Sequence, residues 1–427
     1  MKNLLSKLGE VDRRQFVEFA AKSMLGVSML PALERAVAAQ SAGGGKAKRL
    51  IYLFMNGAMT HLDTFDLKQG HPNQGDTKAI NTSVPGTQIS AYLPKLAEQF
   101  DKLAVIRSMH TQTADHEAGE YLMRTSYEEI ATERHPSLGP WLQHLKGRQN
   151  KTLPDTVLIG APARHPGAGF FDPTFSPLPI GDPNRGLENT TAPQYLTDES
   201  FEKRVNLING FDKKFREKFR VKKVQSYTDF YAEATGLLTS GELKAFDLNN
   251  EKNEDRDRYG RDSFGQGCLL ARRLIENNVR CVEVSCGGWD MHSNIYNPGT
   301  LEARTRILDM GMSNLLKDLS ERGLLEDTLV VLTTEFGRSP QINYNAGRDH
   351  HPAVFSSVLA GGGIKGGQFY GKSDAAGHSV SEDGVAPADF NATVATALGL
   401  PLDKIAFSPT GRPFKVAHDG VPIAKVL

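Results

Sequence analysis

The sequence predicts an α/β fold, a mostly parallel central sheet flanked by helices. Three observations predict it. Short, continuously apolar runs recur along the chain, as strands buried on both faces do. Helical patterns separate several of these runs, which argues for crossover connections rather than a succession of hairpins. Glycine-rich polar clusters follow the runs, at the strand ends where an open α/β sheet collects its ligands.

The first forty residues stand apart from that fold. Arg13-Arg14 is followed by Phe16 and Val17, a short apolar stretch from Ser23 to Leu33, and small residues at Ala36-Val37-Ala38. Together they resemble a twin-arginine export signal with its cleavage site, with Asp12 and Glu18 departing from the usual flanks. The expectation is a signal peptide over 1–38, a linker over 39–48 and one domain over 49–427, in a protein that is periplasmic or otherwise exported. The apolar core is too short to span a bilayer, and no later segment is long and apolar enough, so no transmembrane segment is expected.

The domain opens with Arg49-Leu50-Ile51-Tyr52-Leu53-Phe54-Met55, a continuous apolar run that Asn56-Gly57 ends. Leu103–Ile106, Thr156–Ile159, Val279–Ser285, Thr328–Thr333 and Val354–Leu359 read as further strands. Leu301–Arg322 is the clearest helix. Leu308, Met312, Leu315, Leu316 and Leu319 fall on one face, and Gly323 stops it. Residues 160–190 are rich in Pro and Gly and read as a surface excursion. Residues 197–277 read as a helical insertion covering one side of the sheet. Its segment FEKRVNLINGFDKKFREKF is basic in places, but acidic neighbours make it a solvated face.

Charge narrows the function. The 427 residues carry 50 basic and 50 acidic side chains. Residues 1–38 hold six of the basic and four of the acidic ones, leaving a net charge of −2 beyond them. That balance excludes a general nucleic-acid binder, which needs a basic excess. Three cysteines exclude a disulfide scaffold. Cys281 and Cys286 flank a strand and point to opposite faces, and Cys268 reads as buried on a helix.

The chemistry-bearing residues lie after the strands. His61 and Asp63 follow the first. Asp290 and His292, two apart in an extended segment, point the same way after Val279–Ser285. Glu335 and Arg338 follow Thr328–Thr333, and Arg348, Asp349 and His350 come a short loop later. Carboxylates and imidazoles together suit zinc, manganese or iron, whereas magnesium and calcium prefer oxygen-rich shells. After Leu103–Ile106 come Arg107, Thr113, Asp115 and His116 at a helix start. Thr113 or Asp115 caps that helix, or the helix start serves as an anion site with an activated hydroxyl.

Thr60-His61-Leu62-Asp63-Thr64-Phe65-Asp66, Ile106-Arg107-Ser108-Met109, Gly287-Gly288-Trp289-Asp290-Met291-His292, Glu335-Phe336-Gly337-Arg338, Gly347-Arg348-Asp349-His350 and Ala360-Gly361-Gly362-Gly363-Ile364-Lys365-Gly366-Gly367 resemble the bacterial exported proteins grouped as DUF1501. That family looks like a divergent branch of the alkaline phosphatase and sulfatase superfamily. The resemblance implies an alkaline phosphatase-like sheet, a metal site at its strand ends and hydrolysis of phosphate or sulfate esters. The chain departs from the superfamily where Asn56 stands for an acidic ligand and where Phe336, which cannot bind metal, stands for a histidine.

Two functions follow as expectations. In the first, a divalent metal, zinc or manganese, is held by Asp290, His292 and His350 with Glu335 or Asp349. Thr113, His116 or a metal-bound water attacks a small-molecule or polymer ester, and His61 protonates the leaving group. Arg107, Arg338 or Arg348 holds the anion, and Asp63 and Glu335 orient the histidines from behind. In the second, the protein is a non-catalytic binder on a hydrolase-like scaffold.

Overall fold

The computed structural model describes residues 45–160, 164–188, 190, 195, 197–219, 229, 232–238 and 240–427. The expected export signal over 1–38 lies outside the described residues. Strand β1 (Arg49–Met55) is buried at every position. Its side chains divide between two cores. Ile51, Leu53 and Met55 enter one, and Leu50, Tyr52 and Phe54 the other. This two-sided burial is why the run does not alternate with polar residues.

The chain continues through β2 (Leu103–Met109), α1 (His116–Thr125), α2 (Leu138–Lys146), β3 (Thr156–Ile159), β4 (Leu178–Ile180) and α3 (Asp198–Lys218). Then come α4 (Ser263–Glu276), β5 (Cys281–Cys286), α5 (Leu301–Glu321), β6 (Thr328–Thr333), β7 (Phe355–Gly361), β8 (Gln368–Tyr370) and α6 (Pro387–Ala397). The strands form one eight-stranded sheet in the order β8-β2-β7-β6-β1-β5-β3-β4. Every neighbouring pair is parallel except the two made by β7, with β2 and with β6. The expected mostly parallel sheet is what forms.

Helices α4 and α5 cover one face, where Phe264, Leu308, Met312, Leu315, Leu316 and Leu319 are buried. Helices α2 and α6 cover the other with Trp141, Leu142, Phe390 and Val394. The stripe read on α5 is thus the stripe it buries. Of the expected insertion, α4 packs directly on the sheet: a Cβ on Gly267 would meet Val284 Cγ1 at 2.7 Å, so only glycine permits that approach. In contrast, α3 leaves Leu207 and Phe211 62% and 68% exposed. Cys281 and Cys286 enter opposite cores, and all three cysteines are buried and free.

Two strands of the central sheet escaped the sequence reading. Both β4 and β8 are three residues long and lie at the sheet's edges. Pro179 within β4 is tolerated there because an edge strand leaves one side of its backbone unpaired. The antiparallel direction of β7 has a consequence for function. Its amino end lies beside the carboxyl ends of the other strands, so residues just before it reach the same edge as those just after β1, β5 and β6.

Candidate metal centre

The centre is assembled from four strand ends. After β1, Gly57 adopts φ +106°, and a Cβ there would lie 2.5 Å from the Asp290 amide. Glycine therefore lets the loop after β5 cross the end of β1. Gly57 N–H donates to Glu335 Oε1 at 2.8 Å, and the Thr334 hydroxyl lies 2.8 Å from Oε2. Glu335 is completely buried. After β5, the Trp289 ring plugs into the core and leaves the next side chain, Asp290, facing out of it. Before β7, His350–His351 pairs antiparallel with Gly337–Arg338, which sets His350 opposite Arg338.

Helix α1, which follows β2, brings a further part. Asp115 is its cap, accepting from the Ala118 amide at 2.9 Å, and His116 opens the first turn. A Cβ on Gly119 would touch Glu335 Cβ at 3.1 Å, so a small residue keeps the helix close to the strand ends.

Three imidazoles are held from behind in the same way. His116 Nδ1 lies 2.6 Å from Glu335 Oε1, His292 Nδ1 3.0 Å from Asp349 Oδ1, and His350 Nδ1 2.8 Å from the Ala114 carbonyl. Each partner is an acceptor, so each Nδ1 carries the proton and each Nε2 presents a lone pair. Those lone pairs converge on Asp290 Oδ1, with Nε2 of His116, His292 and His350 at 3.5, 2.9 and 3.3 Å. The Nε2 atoms of His292 and His350 are only 3.0 Å apart. Two lone pairs at that distance repel unless a proton or a cation lies between them. His116 Nε2 is buried with no hydrogen-bond partner. Donor atoms of His116, Asp290 and His350 lie within 4.8 Å of one another. An orphaned nitrogen, facing lone pairs and a shared carboxylate together fit a divalent cation, and the nitrogen-rich set suits zinc or manganese.

Electrostatics agrees. Asp290, Glu335 and Asp349 all bear on the Arg338 guanidinium, three carboxylates on one cation, and Asp290 pairs with it directly. Burial works to raise Asp290, but the hydrogen bond and charge of Arg338, with His350, outweigh it and pull the carboxyl down to about 2. The Glu335 hydrogen bond outweighs burial at His116 and raises that imidazole above its ordinary value. His292 and Asn343 hold Asp349 below the usual carboxylate range.

Asp290, His292 and His350 therefore meet as expected, and His116, expected as a nucleophile, joins them as a donor. Other expectations are corrected. Asp349, expected as a ligand, sits behind His292, and Glu335, expected either as a ligand or behind the histidines, takes the latter place behind His116. Asp63 is buried and binds Thr60, Thr77, Tyr296 and Arg348, so it orients no histidine of the centre. His61 is completely buried on the Gly377 carbonyl, and burial lowers it to about 4, so it is no proton donor to a leaving group.

Two of the three arginines spend their N–H groups on the protein itself. Arg348 is buried, its N–H groups shared among Asp63, Tyr296 and the carbonyls of Asn73, Ser339 and Pro340. Every N–H of Arg338 likewise has an acceptor. Arg107 lies 3.7 Å from Asp66 and stacks on Phe369 at 4.1 Å. Thr113 is partly exposed beside the centre, and its hydroxyl accepts from the Asp115 amide at 3.1 Å.

Sequence reasoning missed the Ala114 carbonyl, since any residue supplies one. It also missed what Phe336 does. That buried ring packs 5.0 Å from the His116 ring and 4.9 Å from the His350 ring, holding the imidazoles it cannot replace.

Fold and site define an α/β protein with a histidine–carboxylate centre at the carboxyl edge of its sheet. The chain belongs to the DUF1501 family, described as a protein of unknown function, whose profile matches residues 47–427. No curated protein matches it. Among solved structures it is similar to the lipoteichoic acid synthase LtaP from Listeria monocytogenes, with 9% identity and a TM-score of 0.40 over 87% of this chain and 79% of that one. It is similar to a protein in the alkaline phosphatase superfamily from Vibrio parahaemolyticus, with 10% identity and a TM-score of 0.43 over 90% and 72%. It is also similar to the C-terminal periplasmic domain of EcEptC from Escherichia coli in complex with Zn, with 11% identity and a TM-score of 0.38 over 84% of each. Among the described residues no helix is long and apolar enough to cross a membrane.

Proposed function

We propose that this protein is an exported, metal-dependent hydrolase of phosphate or sulfate esters. The observation that carries the reading is the convergence of three Nε2 lone pairs on Asp290 Oδ1, each imidazole fixed from behind by its own acceptor. A divalent ion, zinc or manganese, bound there supplies Lewis-acid polarisation of an ester oxygen. The chain's own residues do the rest. Glu335, Asp349 and the Ala114 carbonyl keep the imidazoles in the binding tautomer. Thr113, on the loop that fixes His350, would offer its hydroxyl for attack: the bond from Oγ to phosphorus or sulfur forms as the bond to the ester oxygen breaks, the hydroxyl proton leaves with the alcohol product, and water then cleaves the Thr113 ester, releasing phosphate or sulfate and restoring the hydroxyl. Arg338 and Arg348 are spent on internal acceptors, so the ester anion is held mainly by the centre itself. Export rests on Arg13-Arg14 and the apolar stretch after it, and the substrate is a small-molecule or polymer ester met outside the cytoplasm.

That same commitment of Arg338 and Arg348 favours a second reading, a non-catalytic binder on this scaffold. One experiment separates them. The mature protein is purified from its export route, its metal content is measured, and it is assayed against a broad panel of phosphate and sulfate esters with metals added back. Stoichiometric metal and turnover, both lost in Asp290→Ala and His350→Ala, support the hydrolase. Metal without turnover anywhere on the panel leaves the binder, and no metal at all sinks the centre.

A further inference from the structure

Arg338 lies inside the centre as a cation of the protein's own. Its side chain is 1% exposed. Nε donates to the Ala58 carbonyl at 3.1 Å. Nη1 donates to the Arg348 carbonyl at 3.1 Å and to His292 Nε2 at 3.2 Å. Nη2 donates to the Gly57 carbonyl at 2.6 Å and to Asp290 Oδ1. A guanidinium has five N–H groups, and here every one has an acceptor.

Viewed from the acceptors, three backbone carbonyls, a carboxylate and an imidazole ring the guanidinium. Carbonyl and carboxylate oxygens are what a hard divalent cation takes. One atom, Asp290 Oδ1, belongs both to this position and to the imidazole set. Two cation positions therefore share a carboxylate oxygen, one lined by histidines and the other largely by carbonyls. The guanidinium fills the second.

We infer that Arg338 is a built-in second cation, occupying the place of a second metal ion and restricting the centre to one. This rests on the reading of the histidine–aspartate set as a metal centre. A guanidinium cannot be deprotonated in a protein, so its charge stays in place at any working pH. Its carbonyl partners belong to backbone at the end of β1 and before His350, so its position does not depend on whether metal is bound. Its charge opposes the incoming ion, and its Nη1 competes for the His292 lone pair. His116, Asp290 and His350 are then the principal donors, the same three whose donor atoms group within 4.8 Å. Arg338 acts through the ligands and is a positioning residue.

Metal stoichiometry tests this. Metal-free protein is dialysed to equilibrium against Zn²⁺ alone, and separately against Mn²⁺ alone, and bound metal is counted. Wild type is expected to take one equivalent. Arg338→Ala, which removes the charge and opens the space, takes two, whereas Arg338→Lys keeps a charge and takes one. In Arg338→Gln, which removes the charge but fills much of the space, affinity for the first equivalent rises at least tenfold. The glutamine variant also serves if the alanine variant does not fold without metal. Two equivalents in wild type, one equivalent in a folded alanine variant, or unchanged affinity in the glutamine variant each overturn the inference. A wild type that takes no metal defeats the underlying reading instead, so the two failures are distinguishable.

Discussion

Single side chains decide what the centre can hold. Glu335 is buried and faces His116 Nδ1 at 2.6 Å, so it fixes the tautomer and raises that imidazole. The raised value makes the protonated ring a stabilising group in metal-free protein. That contribution is complete below the unfolded value and is lost as pH rises through the folded one. In Glu335→Gln the His116 titration, followed by NMR on metal-free protein, is expected to fall toward about 6.5. Zinc affinity, from chelator competition, drops about 10- to 100-fold; an unshifted titration would show that Glu335 does not act through the ring. A second buried carboxyl gives the same slope with pH from a different cause. Asp155 has a buried Oδ2 that makes no hydrogen bond and only a 3.5 Å ion-pair contact with Arg280 Nε, and burial outweighs that charge and pushes the carboxyl up to about 6. The folded state then holds the proton more tightly than the unfolded chain, so stability falls as pH rises from about 4 to about 6. Asp155→Asn is expected to gain roughly 1–3 kcal/mol at pH 7.5 and almost nothing near pH 4, by urea unfolding at both. Equal gains at the two pH values count against it.

At the scale of elements, the centre depends on how its helix and strands end. Helix α1 presents His116 in its first turn, directly after the Asp115 cap. Asp115→Ala is expected to cost about 1 kcal/mol of stability by denaturant unfolding. It also weakens metal binding, because fraying of that turn moves a donor; loss of stability with unchanged affinity would separate the cap from the centre. The single antiparallel strand is the other device. Because β7 runs against its neighbours, His350 arrives at the edge that β1, β5 and β6 reach with their carboxyl ends. A parallel β7 would have delivered it to the far side of the sheet.

For the whole molecule, the centre spans residues from 116 to 350 and joins segments that have no local reason to meet. A metal bound there ties β5, β7 and α1 together in the folded state alone. Removing it with a chelator is expected to lower the thermal midpoint, and restoring Zn²⁺ to recover it. Free metal at about 100 times Kd corresponds to about 2.7 kcal/mol. Asp290→Ala is expected to show no such shift; a shift as large as in wild type would place the stabilising ion elsewhere.

The sequence by itself determined the sheet's central strands, the stripe on α5, the opposite faces of Cys281 and Cys286 and the grouping of Asp290, His292 and His350. Burial and periodicity act on neighbouring residues, so they leave a local mark. It did not determine which candidates face outward. His61 carries the same chemistry on paper as His116, yet it is sealed in the interior, and Arg348 is buried on Asp63 whereas Arg338, equally buried, reaches Asp290 and His292. The role of Arg338 is equally illegible, because its five acceptors come from Gly57, Ala58, Asp290, His292 and Arg348. Three of those acceptors are carbonyls, which every residue has. Only the tertiary structure could decide them, because side-chain burial and backbone acceptors are set by chain segments far apart in sequence.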